Sequence, residues 1–187
     1  MIIYSLYILN KAGGLIYQND LNPGLARLNA NDYLVLAGTL HGVHAIATRI
    51  RPVDNTIPQD EVPSANTSIL TSGKAKLPNT NSSGLQHMDT DLFSLYVFQT
   101  LTGLKFVIIT SPGKSGQQNN QTRGGSSSTS KGDLTRQFQS VGAVYKEIYQ
   151  FYCDYVMKNP FYALYMPIKC AMFEQKVRAM ANIRITV

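Results

Sequence analysis

Two short apolar runs near the amino end, Ile2 to Leu9 and Leu15-Ile16-Tyr17, flank the pentapeptide Asn10-Lys11-Ala12-Gly13-Gly14. The first run reads as a buried strand and the second as its antiparallel return. The paired glycines between them are expected to supply the positive φ that a tight reversal needs at low steric cost. A chain that opens from Met1 on a strand hairpin is expected to be a sheet-based soluble domain, with no room for a targeting segment. The opening run lacks a basic leader and a cleavage site, and Tyr4, Ser5 and Tyr7 interrupt it, which argues against secretion. No window approaches the roughly 18 apolar residues of a membrane span.

Residues 19–30 are turn-rich around Asn22-Pro23-Gly24. The spacing then predicts a helix from about Asp32 to Arg51, with Asn31 or Asn29 as its N-cap. Tyr33, Leu36, Ala37, Leu40, Val43, Ala47 and Ile50 recur at three- and four-residue steps, a stripe suited to a sheet face. Pro52 stops it. Residues 52–84, dense in Pro, Asn, Ser and Thr, read as a low-complexity insert, and residues 112–132 as a second. Between the inserts lie a short strand at residues 85–88, a strand over about 92–99 covered on both faces, the turn Leu101-Thr102-Gly103, and a returning strand over 104–110.

Asp133 is placed to cap a helix running to about Lys158, with Leu134, Phe138, Val141, Tyr145, Ile148, Tyr152 and Tyr155 on one stripe. At 1.5 Å per residue such a helix is on the order of 37 Å long, enough to cross a five-stranded sheet. Asn159-Pro160 ends it. The aromatic linker Phe161-Tyr162-Ala163-Leu164-Tyr165-Met166-Pro167 leads to a last amphipathic helix near residues 170–183. The order is β-β-α-β-β-β-α-α within a single domain spanning residues 1–187. Without the inserts roughly 130 residues remain, a common domain size.

Hydrophobic residues make up 44% of the chain and charged residues only 15%, a balance compatible with a subunit that covers part of its surface with partners. Lys and Arg outnumber Asp and Glu by 17 to 11, for a formal charge of +6. That excess suits phosphates, acidic proteins or anionic lipid, although no polybasic arm concentrates it. The tyrosines follow core periodicity rather than interleaving with Lys and Arg, which speaks against a nucleic-acid surface. Cys153 and Cys170 suit a reducing compartment as buried thiols.

The residues assemble no active site. Pro112-Gly113-Lys114-Ser115 follows a strand, but Ile108 stands where a phosphate-binding loop needs its first glycine. His41 and His44 lie one helical turn apart but lack third and fourth ligands for a metal, and His44 reads as a core-edge residue. Asp89 and Asp91 bracket Thr90, where capping and turn duty suffices. No cofactor is expected.

The stretch Asn10-Lys11-Ala12-Gly13-Gly14-Leu15-Ile16-Tyr17-Gln18 resembles the opening hairpin of the synbindin-type small subunits of the TRAPP tethering complex. The resemblance continues through Thr39-Leu40-His41-Gly42-Val43. It is strongest at Gln99-Thr100-Leu101-Thr102-Gly103-Leu104-Lys105-Phe106-Val107. It ends with Asp154-Tyr155-Val156-Met157-Lys158-Asn159-Pro160-Phe161-Tyr162 and Met166-Pro167-Ile168. The inserts and the Thr-Leu-His-Gly-Val stretch look most like fungal members, which lack the PDZ-like insertion of animal ones. Many relatives carry Glu before Met-Pro-Ile, where this chain has Tyr165.

The resemblance implies a longin-like α/β fold: a five-stranded antiparallel sheet with one helix on one face and two on the other. It also implies a non-catalytic subunit, joined to other small TRAPP subunits, in an assembly that promotes nucleotide exchange on a Rab-family GTPase in ER-to-Golgi transport. Such a protein would be cytoplasmic and would touch cis-Golgi and endoplasmic reticulum membranes through the complex. The candidate interface residues are Lys11, Phe161, Tyr162, Met166 and Pro167; the last four either dock on a neighbour or fill the chain's own core. Two alternatives are a longin domain of another trafficking assembly, such as a coat adaptor small subunit or SNARE regulator, and a basic nucleic-acid-binding module.

Overall fold

The computed structural model describes residues 1–49, 84–112 and 131–183. Five strands, β1 (Ile3–Leu9), β2 (Leu15–Asp20), β3 (His87–Asp89), β4 (Ser94–Gln99) and β5 (Lys105–Thr110), form one sheet in the order β2-β1-β5-β4-β3. All neighbouring pairs are antiparallel. The hairpins β1–β2 and β4–β5 are joined by pairing β1 with β5, so these two strands lie at the centre and are buried almost throughout.

Side chains alternate across that sheet. Tyr7, Leu9, Leu95, Val97, Val107 and Ile109 face helix α1 (Ala30–Ala47). On the other side Leu6, Ile8, Tyr96, Phe98, Phe106 and Ile108 face helices α2 (Lys131–Phe151) and α3 (Ala171–Ile183). One helix on one face and two on the other is the arrangement the resemblance implied, in the expected element order. The second core is the more aromatic: Tyr145 stacks on Phe98 with centroids 4.6 Å apart, and Phe173 meets Tyr17 edge-on at 5.0 Å. Both inserts fall largely outside the described residues, as do Gly113 to Ser115.

Four expectations need correction. Only Gly13 of the hairpin pair has positive φ, at 88°; Gly14 instead donates its N–H to Asn10 Oδ1 at 2.8 Å. Helix α1 starts at Ala30, earlier than expected, and of the two expected caps Asn29 is the one in place. Asn29 Oδ1 accepts from the Asp32 N–H at 2.9 Å while Asp32 Oδ2 accepts from the Asn29 N–H at 3.4 Å. The inward stripe of α1 is Tyr33, Ala37, Leu40 and His44, with Val43 exposed. This helix is apolar nearly all round, so spacing alone leaves its rotation open.

The fourth correction concerns α2. It begins at Lys131, so Asp133 lies inside its first turn rather than capping it. Its last stretch, Tyr152–Met157, is a π-helical turn in which the Lys158 N–H reaches back five residues to the Cys153 carbonyl. The wider turn shifts the helical phase by one residue, so Val156 is fully buried and Tyr155 only partly.

Candidate functional site

No group of three His, Cys, Asp or Glu side chains converges among the described residues. His44 is buried, its Nε2 2.6 Å from Gln99 Oε1 and its Nδ1 3.2 Å from the Leu85 carbonyl, so both ring nitrogens are engaged in tying α1 to the sheet. His41 turns instead toward the β1–β2 hairpin. Asp89 accepts from the Ser94 hydroxyl and lies 3.0 Å from His87, which is turn and edge duty. No helix among the described residues is long and apolar enough to cross a membrane. Surfaces rather than a catalytic cluster carry the interest, and three stand out.

The first is the outer face of α1. Leu34, Val35, Val43 and Ile46 are exposed there, Ile46 to 62%. Gly38 and Gly42 lie on the same side, one turn apart, and a Cβ built on either would meet nothing within 4 Å. Beneath this helix, a cavity of about 520 Å³ opens between it and the sheet, lined by Tyr7, Leu25, Leu36, Leu40, Phe93 and Leu95 among others. A single helix about 10–12 Å across cannot cover five strands spaced 4.7–4.9 Å apart. The signal of this exposed face in the sequence is the scarcity of charge in α1, where Asp32 is the single Asp, Glu, Lys or Arg.

The second surface is the linker between α2 and α3. Asn159 Oδ1 accepts from the Phe161 N–H at 3.0 Å, and the Asn159 carbonyl accepts from the Tyr162 N–H at 3.1 Å, which turns the chain sharply after the helix. The Tyr162 hydroxyl donates to the Met166 carbonyl at 3.0 Å, and the Ile168 N–H donates to the Ile16 carbonyl at 2.8 Å. That last bond lays the end of the linker against the outer edge of β2. Tyr165 holds a φ of 71°, a left-handed backbone that a bulky side chain adopts only when its surroundings enforce it.

The linker residues therefore divide between the two expected roles. Tyr162 packs against its own core, as does Ile168, the only buried residue of the stretch. Phe161 is 93% exposed, and Met166 and Pro167 are exposed as well. These side chains border a cleft of about 240 Å³ beside Val156 and Cys170.

The third surface is the turn end of the sheet, where the β1–β2 and β4–β5 turns meet the second half of α1. Lys11 is exposed at the first turn, and its alkyl stem crosses the second: a Cβ on Gly103 would lie 3.0 Å from Lys11 Cγ. A Cβ on Gly13 would lie 2.6 Å from the ring of His41. Beside His41 is Lys105, buried at the start of β5. The single sequence signal for Lys105 is a charge inside a run otherwise read as covered strand. Of the five candidate residues, Lys11 lies at this turn against Gly103, and Phe161, Tyr162, Met166 and Pro167 lie in the linker.

A family model described as the Sybindin-like family matches residues 3–125 and 134–183. A Dictyostelium discoideum protein named Trafficking protein particle complex subunit 4 is 33% identical, over 98% of this chain and 99% of its own length. The Bos taurus protein of the same name is 28% identical over 87% of this chain, which spans about half of that relative, 51%. A second Dictyostelium discoideum protein, Trafficking protein particle complex subunit 1, is 25% identical over 92% of this chain and 89% of its own length. With the model reaching from the first strand to the last helix and one relative aligned almost end to end, this chain belongs to the Sybindin-like family.

Proposed function

We propose that this protein is a structural, non-catalytic subunit of a TRAPP tethering complex. In that role it lends surface to a platform that binds a Rab-family GTPase and promotes its nucleotide exchange in ER-to-Golgi transport. Its partners are other small TRAPP subunits and the GTPase, with peripheral contact to cis-Golgi and endoplasmic reticulum membranes made through the complex from the cytoplasm. The observation that carries this reading is the outer face of α1. Four large apolar side chains and two open glycines on one helix are poorly suited to water and well suited to close packing by another protein. The exposed Phe161 and Met166 of the linker add a second apolar contact region.

Affinity purification of the tagged full chain, followed by identification of its companions, tests the reading. Small TRAPP subunits are expected, in fixed stoichiometry. Nucleotide exchange on a Rab should require the assembled complex; robust exchange by the isolated chain would overturn the scaffold role. Recovery of coat or SNARE machinery in place of TRAPP subunits would overturn the choice of assembly.

A further inference from the structure

Lys105 lies on the α1 side of the sheet, in phase with Val107 and Ile109, and is only 6% exposed. Burial pushes its pKa down, and no opposite charge or hydrogen bond acts to hold it up. Among the described residues its ammonium has no hydrogen-bond or ion-pair partner. A lysine whose stem is packed into the core while its ammonium has no partner holds that cation at a fixed place for an opposite charge.

Its neighbour also carries an unpaired nitrogen. His41 Nδ1 is buried without a hydrogen-bond partner. Burial lowers the pKa of that imidazole, and the charges of Lys105 and His44 lower it further, so no carboxylate offsets the site. Lys11 brings a second cation to the same end of the sheet by way of Gly103. Leu101, 83% exposed at the tip of the β4–β5 turn, supplies an apolar rim.

The turn amides that would cradle a phosphate are already used. Those of Ala12 and Gly14 donate to Asn10 Oδ1, that of Gly13 to the Asn10 carbonyl, that of Gly103 to the Thr100 carbonyl, and that of Leu104 to Thr100 Oγ1. What remains is side-chain cations with an apolar border, the chemistry of a protein contact rather than of a phosphate nest. We propose that Lys105, His41 and Lys11 form a cationic socket that receives an Asp or Glu side chain of a sister subunit. The socket adjoins the second half of α1, so it continues the interface assigned to that helix, and it rests on the reading of this chain as one subunit of an assembly.

The test uses the native assembly and the full-length variant Lys105→Met, which keeps an unbranched stem of similar size and removes the charge. In the isolated chain the variant should melt no lower than wild type, because the packed stem is kept and a partly desolvated ammonium is removed. Recovery of sister subunits at physiological salt should nevertheless fall at least about tenfold. Zero-length carbodiimide coupling of the native assembly, read by mass spectrometry, should join Lys105 to a carboxylate of another subunit. A lowered melting temperature with lowered recovery, or unchanged recovery, would overturn the socket. Coupling of Lys105 to the GTPase, or only within its own chain, would overturn the chosen occupant. If wild type itself recovers no sister subunits, the proposed function falls; if wild type and variant recover them equally, the socket alone falls.

Discussion

Replacing both Gly38 and Gly42 by Ala separates what stabilises α1 from what α1 is for. Each residue lies in the interior of an 18-residue helix, and a methyl group at either would enter open space. Glycine in a helix interior is about 0.8–1.0 kcal/mol less favourable than alanine, so the double variant should gain about 2 kcal/mol. For a chain of this size, 1 kcal/mol corresponds to roughly 2–4 °C, which places the expected rise in melting temperature at about 4–8 °C. A full 2 kcal/mol assumes additivity, which residues one turn apart satisfy only in part. Thermal unfolding of the isolated chain, followed by circular dichroism, measures the gain. The same variant should lose capture of sister subunits, since two added methyls hold an approaching backbone away. No rise in melting temperature would refute the reading of that face as open. A rise with undiminished capture would refute close packing as the reason for the glycines.

Tyr145→Phe should stabilise the fold by about 1 kcal/mol in urea titration, because the hydroxyl is buried without a partner while the ring keeps its stack on Phe98. Phe161→Ala should change stability by less than about 0.5 kcal/mol, given its exposure, while weakening recovery of sister subunits; a marked loss of stability would return Phe161 to the core. His41 has a pKa below its ordinary 6.5 in the folded chain, chiefly from burial and then from Lys105. The unfolded chain therefore binds the proton first on acidification, so His41 lowers stability as pH falls through about 6.5 toward the folded value. His41→Gln should flatten that slope in a series of melts from pH 7.5 to about 5.5, and an unchanged slope would refute the assignment.

The sheet was legible because its central strands are covered on both faces, which makes runs such as Phe106 to Ile109 continuously apolar. Helix α3 and most of α2 were legible from their one-sided stripes. The rotation of α1 was not, since a helix with Leu34, Val35, Val43 and Ile46 outside and Tyr33, Ala37 and Leu40 inside carries little phase information. The π turn was also invisible, because a one-residue widening between Tyr152 and Met157 leaves no residue-type signature; it shows only as Val156 taking the place expected of Tyr155. Of the candidate residues, the linker could be recognised from aromatic groups in irregular chain. The cationic cluster could not, as Lys11, His41 and Lys105 come from three elements that meet only in the folded molecule.

The bond from the Ile168 N–H to the Ile16 carbonyl has a consequence for growth of the sheet. A fibre built strand upon strand needs two open borders per molecule, one to offer and one to accept. Here the molecule's own linker occupies the Ile16 carbonyl on one border, and the opposite border is a strand of three residues. Endless head-to-tail stacking is thereby disfavoured, and such a molecule is fitted to terminate a shared sheet rather than to propagate one.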